Sequence, residues 1–173
     1  MIPFQLMFAQ KSLLKDFPEG YTPKEIGKRI AYRFLTEKHA LHVGKWIGYP
    51  ETFYWSGALR YADGAKDKEL IQRLQEKFDF LFTEEKILQP IMNHVDLNMF
   101  GSLPLEFYLV TKDLKYRYLG LPYADSQWEL PRNAKPHEKE WAEKGYSWQT
   151  RLWIDDMYMI TIVQTRAYKV TKD

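Results

Sequence analysis

Apolar positions recur with helical spacing along most of this chain. The clearest start is "YTPKEI", residues 21–26. Thr22 can cap, Pro23 suits the first helical position, and Glu25 can close a capping box. Tyr21 and Ile26 hold the positions of a hydrophobic staple. Ile26, Ile30 and Phe34, with Ala31 and Leu35 beside them, predict a helix running to about His39. A second helix is predicted over 51–62, entered from the turn Gly48-Tyr49-Pro50. A third opens near Asp67, with Leu70, Leu74, Phe78 and Leu81 as its apolar stripe. Residues 87–98 read as a loop with an extended piece. A fourth helix covers 99–112, where Pro104 implies a kink or a start one turn later. A fifth follows Asp113 and ends near Gly120 or Ala124. Residues 129–151 are polar and hold two prolines, a long loop of the kind that is often functional. A sixth helix runs from about Ile154. No segment reads as a convincing strand.

A weak repeat runs through these helices. "YADGAKD" ends at Asp67, "YLVTKD" at Asp113 and "YKVTKD" at Asp173. Each time an apolar helix runs into a Tyr and a short polar link ending in Lys-Asp, whose Asp can cap the next helix. The unit is a helix hairpin used about three times, which points to a helical solenoid or toroid. The third copy stops where its second helix should begin. The expectation is therefore a single domain over 1–173, a helical solenoid or toroid that looks cut within its third hairpin.

Composition narrows the function. Hydrophobic residues make up 45 %, enough for a sizeable core, and aromatics 16 %, which suits a core plus an aromatic groove for a flat ligand such as a sugar. A net charge of +2 with no basic run longer than Lys28-Arg29 does not suggest nucleic-acid binding. The absence of cysteine excludes disulfides and thiolate metal sites. The four histidines form no HExxH-like pair; His39 and His42, three apart, could share a helix face, but no metal site is expected. No apolar run approaches a bilayer span. The opening "MIPFQLMFAQ" lacks a basic n-region and a small-residue cleavage site, so it is not read as a signal peptide. Cytoplasm is the default compartment, with a periplasmic parent as the alternative.

Candidate chemistry lies in "RLWIDDMYM", residues 151–159. Asp155 and Asp156 lie roughly one hundred degrees apart around a helix axis and cannot share one environment. The plain reading is that acids favour helix N-termini. Here Trp153 precedes them and the flanking faces are apolar, and an acid amid aromatics has its charged form disfavoured. A second carboxylate, Asp96 in "NHVDLNMFG", heads an apolar helix one repeat earlier, where it could also serve as an N-cap. Helix starts of a toroid meet at one end of the ring, so Asp96 and Asp155 are expected to converge there, as an acid and base pair would.

These segments resemble a known family. "WIDDMYM", followed by a helix ending "AYKVTKD", resembles the W-x-D-x-x-[FY]-M signature of glycoside hydrolase family 105, the unsaturated rhamnogalacturonyl hydrolases, which are related to the family 88 unsaturated glucuronyl hydrolases. "HVDLNMFGSLPLEFYLVTKD" resembles that family's second acidic segment and "YPETFYWSGALRYAD" its first inner helix. The resemblance covers nearly the whole chain from Ile26. It implies an all-α fold, the (α/α)6 barrel or six-hairpin toroid, of which this chain supplies about the first half. It implies a hydrolase that hydrates the 4,5-double bond of an unsaturated uronic acid at the non-reducing end of lyase-generated pectin-type oligosaccharides. By motif position Asp155 is the general acid/base and Asp96 the second essential carboxylate. Trp153, Tyr54 and His94 are the substrate-binding candidates. Asp156 departs from the pattern and reads as a helix-cap or supporting group. The chemistry needs no cofactor, and no glycine-rich phosphate loop suggests one. The expected partner is the unsaturated oligosaccharide, with neither nucleic acid nor membrane. Self-association through the uncovered half-barrel face is also expected. The competing readings are a non-catalytic helical scaffold that binds sugars, and another α/α-barrel enzyme such as an epimerase or lyase.

Overall fold

A computed structural model describes residues 16–173; the opening "MIPFQLMFAQ" lies outside the described residues. Eight α-helices are described: α1 (Pro23–Thr36), α2 (Tyr49–Ala65), α3 (Lys68–Asp79), α4 (Val95–Asn98), α5 (Ser102–Thr111), α6 (Leu114–Ser126), α7 (Pro136–Glu143) and α8 (Ile154–Thr171). One small antiparallel hairpin joins β1 (Leu41–His42) to β2 (Trp46–Ile47).

Local chemistry sets the boundaries. The Thr22 hydroxyl accepts from the Glu25 N–H at 3.2 Å, and the Glu25 carboxylate accepts from the Thr22 N–H at 3.0 Å, closing the predicted capping box. The Lys-Asp links repeat in conformation as well as in sequence. Lys66, Lys112 and Lys172 end α2, α5 and α8 in the left-handed region, at φ 56°, 64° and 67°. Asp67 then accepts from the Leu70 N–H at 3.0 Å to open α3, and Asp113 from the Lys115 N–H at 3.1 Å to open α6.

Helix α2 packs on α1 and α3, α5 packs on α6, and α2, α5 and α8 stand side by side. This is an all-α, partial α/α barrel: α2, α5 and α8 form one row, with α1, α3 and α6 behind it. The layer between is aromatic. Trp55, Phe78, Phe107 and Tyr116 are fully buried, with centroids 5.2 Å apart for Trp55–Phe78, 4.9 Å for Phe78–Phe107 and 5.1 Å for Phe107–Tyr116. Their tilted, edge-on and offset arrangements contribute beyond plain area burial, about 0.5–1.5 kcal/mol per pair. The predicted stripe Leu70, Leu74, Phe78 and Leu81 is wholly buried. Helices α5 and α6 approach so closely that a Cβ on Gly120 would lie 2.6 Å from the Leu105 side chain and 3.0 Å from the Gly101 carbonyl oxygen.

Several expectations are corrected. Residues 95–98, read as loop, form α4, which runs through a 3-10 turn at Met99–Gly101 into α5. Pro104 is therefore accommodated in the first turn of α5, where its missing N–H costs little. The polar stretch 129–151 contains α7. The first helix stops at Thr36, short of His39, so His39 and His42 share no helix face. Instead His39 stacks on Trp55 and pairs with Glu51 at 2.7 Å.

Candidate active site

Two helix starts, those of α4 and α8, come together at one end of the helix row. Helix α4 is only one turn long and is held from behind. The buried Asn98 donates to the Tyr123 carbonyl at 2.6 Å and accepts from the Ser126 hydroxyl at 2.9 Å. At its start the His94 Nδ1 accepts from the Asp96 N–H at 3.2 Å, so His94 is the cap and Asp96 stands in the first turn. The start of α8 is held by the segment before it. Ser147 donates to the Gln127 carbonyl at 2.8 Å, the Trp148 indole to the Ser126 carbonyl at 2.7 Å, and Gln149 to the Met92 carbonyl at 3.3 Å. Ser147, Trp148 and Gln149 are all buried, so the end of this polar stretch is a fixed part of the site.

Residues 150–153 then wrap around the carboxylate of Asp156. Its Oδ2 accepts from the Arg151 N–H at 2.5 Å, the Thr150 hydroxyl at 3.2 Å and the Trp153 N–H at 3.3 Å. Its Oδ1 accepts from Arg151 Nε at 3.0 Å and Nη2 at 2.6 Å. Leu152 sits at φ 60°, a left-handed conformation that costs a leucine roughly 1–2 kcal/mol and that the surrounding bonds enforce. Burial alone would raise the Asp156 carboxyl. The Arg151 side chain and the Arg151 and Trp153 N–H groups outweigh it and hold the carboxyl below the usual carboxylate range.

The other edge of the same guanidinium grips Asp96, with Nη1 3.2 Å from Oδ2 and Nη2 2.9 Å from Oδ1. Asp155 Oδ2 lies 3.6 Å from that Nη2. The guanidinium also stacks over the Trp153 indole, 4.3 Å from the ring centroid. Among the described residues no group of three or more His, Asp or Glu is arranged to hold a metal ion. The centre of the acidic cluster is filled by Arg151.

Asp96, Asp155, Trp153 and His94 are thus brought together. The expectation that Asp155 sits amid aromatics is corrected: its side chain is 49 % exposed, while Asp156 is enclosed at 1 %. Asp156 faces the 150–153 turn because it reaches back to cap α8, and its neighbour then points outward. Trp153 is 60 % exposed, its indole available to a flat ligand. Tyr54 is placed elsewhere, along a recess with Ile30, Arg33 and Glu37 between α1 and α2. Its neighbour Phe53 is the residue that meets α8, its ring tilted against that of Tyr158 with centroids 5.5 Å apart. Arg151 was missed by sequence reasoning. The available signal was three acids expected at one place with no cation named to balance them. Beside the cluster an open apolar recess of about 510 Å³ runs between Trp128, Tyr146, Trp153 and Met157.

The fold is a partial α/α barrel with an acidic, aromatic-flanked cluster where two helix starts meet. A model of Glycosyl Hydrolase Family 88 matches residues 23–173, and the chain belongs to that family. Membership supports a glycoside hydrolase acting on unsaturated uronic acid substrates in general. No individual curated protein and no solved structure gives a significant match. Among the described residues no helix is long and apolar enough to cross a membrane.

Proposed function

We propose that the chain carries the acid/base site of an unsaturated rhamnogalacturonyl hydrolase, the family 105 type, acting on lyase-generated pectin fragments. The observation that supports this reading best is that an open carboxyl, Asp155, an exposed indole, Trp153, and a second carboxylate, Asp96, all gather around one guanidinium. The substrate's terminal sugar carries a C4=C5 enol ether. Asp155 gives its proton to C4, and positive charge develops at C5. Water adds its oxygen to C5 and returns a proton to the Asp155 carboxylate. The resulting hemiketal opens and releases the neighbouring sugar. One carboxyl serves as acid and then as base, so the spacing rules for direct attack at an anomeric carbon do not govern this site.

The test is spectroscopic. The chain is mixed with an unsaturated rhamnogalacturonan disaccharide, and the near-UV absorbance of the conjugated double bond is followed, with Asp155→Asn alongside. Loss of absorbance with the native chain but not with the variant is expected. Undiminished loss of absorbance in the variant would overturn Asp155 as the group that protonates C4.

The outer flank of α8 is apolar and open, with Ile154 84 % and Met157 65 % exposed. We propose that it drives self-association, since contiguous apolar patches of this kind mark contact surfaces. A monodisperse monomer by light scattering would overturn this.

A further inference from the structure

We propose that Arg151 is the positioning residue of this site: it locks Asp96 and Asp156 as fixed acceptors and thereby leaves Asp155 as the one carboxyl free to exchange a proton with substrate. The proposal rests on the hydrolase reading given above. Its basis is how the guanidinium's donors are distributed. Nε and Nη2 serve Asp156, and Nη2 and Nη1 serve Asp96, so both edges of the fork are committed. Asp155 lies within ion-pair distance of Nη2.

Three consequences follow from that geometry. With both oxygens accepting from Arg151, Asp96 is set as an acceptor, placed to receive a sugar hydroxyl or the attacking water. Three carboxylates against one guanidinium leave the cluster net negative. Asp155 is the one of the three that makes no hydrogen bond to Arg151. The stack on Trp153 ties the indole to the same frame, so the sugar platform and the acids are set by one side chain. A lysine cannot reproduce this, because a point charge on a flexible stem has no second edge.

The experiment compares the native chain with Arg151→Lys and Arg151→Ala. Circular-dichroism melts select the conditions under which each variant is folded. With the unsaturated disaccharide, Arg151→Lys is expected to lose about 100-fold in kcat, the scale of a misplaced reacting group, with KM changed far less. Millimolar guanidinium is expected to restore part of the Arg151→Ala activity saturably, while urea is not. A native kcat in Arg151→Lys, or a loss confined to KM, would overturn the proposal. A second readout does not depend on turnover. Carboxyl carbon resonances in Asp-labelled protein, assigned through Asp96→Asn, Asp155→Asn and Asp156→Asn, are compared in native chain and Arg151→Lys. The Asp96 and Asp156 signals are expected to move more than the Asp155 signal. If the native chain proves inactive, the hydrolase reading fails and these resonances alone judge the clamp; unmoved Asp96 and Asp156 signals would then sink it.

Discussion

Asp67 and Asp113 stand at the starts of α3 and α6; Asp96 and Asp156 stand in the first turns of α4 and α8. In sequence all four are acids heading helices. In the structure they differ in whom they serve. Asp67 and Asp113 accept from N–H groups two or three residues along the chain, as caps do, and their side-chain partners, Tyr32 at 3.3 Å and Lys115 at 3.4 Å, bind no second acid at an α-helix start. Asp96 is joined to a side chain 55 residues away, and Asp156 binds the same guanidinium while collecting three donors from the turn before it. An acid at a helix start is therefore no sign of a site by itself. What marks the site is a cation that several such acids share.

The largest expected break in this comparison is Asp155→Asn. The acid/base contribution of such a group is about 10²–10⁴-fold in rate. Because its side chain is half exposed, unfolding free energy should change by no more than about 0.5 kcal/mol. Initial rates and urea unfolding check the two halves separately.

Asp156→Asn should reverse that profile. It leaves the Arg151 side chain short of a buried partner, and breaking such a pair costs roughly 3 kcal/mol. The native dependence on pH has a definite sign. The folded Asp156 carboxyl is held below its ordinary value, so its contribution is complete above the unfolded value, about 4, and is lost as pH falls through the folded one. Urea midpoints measured down to acid pH should fall less steeply in the variant than in the native chain. Equal slopes would show that Asp156 is not the responsible group.

Smaller still is Asp113→Ala. An N-cap of this kind is worth about 1 kcal/mol, and the residue lies at a Lys-Asp link, not in the cluster around Arg151. Thermal melting should shift by a few degrees while the rate on the disaccharide stays native. A loss of rate would mean that the two kinds of helix start are coupled after all.

The same contrast explains what could be read from the sequence. The hairpin repeat, the Thr22 box and the Leu70–Leu81 stripe were legible because each is written in local chemistry or in helical period. Helix α4 was not, because four residues are too few to show a period. Helix α7 was hidden because its eight residues bury none of their side chains, so no apolar stripe marks it. Asp96 and Asp155 could be named by position, and the family resemblance carried their roles. The role of Arg151 exists only in three dimensions, through contacts to Asp96 that no spacing encodes. Tyr54 shows the limit of register: one residue is a turn of roughly a hundred degrees, and Phe53 takes the face towards α8.

His94 sits between the two kinds of residue and gives the finest test. It caps α4 through Nδ1, as Asp67 and Asp113 cap their helices, yet it touches the cluster, 3.7 Å from Asp96 Oδ2. If Nδ1 accepts, a neutral ring must carry its proton on Nε2, which makes that nitrogen a donor for a sugar hydroxyl. Asparagine is an equally good cap but offers no donor at that place. His94→Asn should therefore keep the native melting temperature and raise KM by about fivefold, the worth of one hydrogen bond near 1 kcal/mol. His94→Ala should lose both, with stability down by about 0.5–1 kcal/mol. A His94→Asn variant with native KM would place His94 with Asp67 and Asp113, as a cap and nothing more.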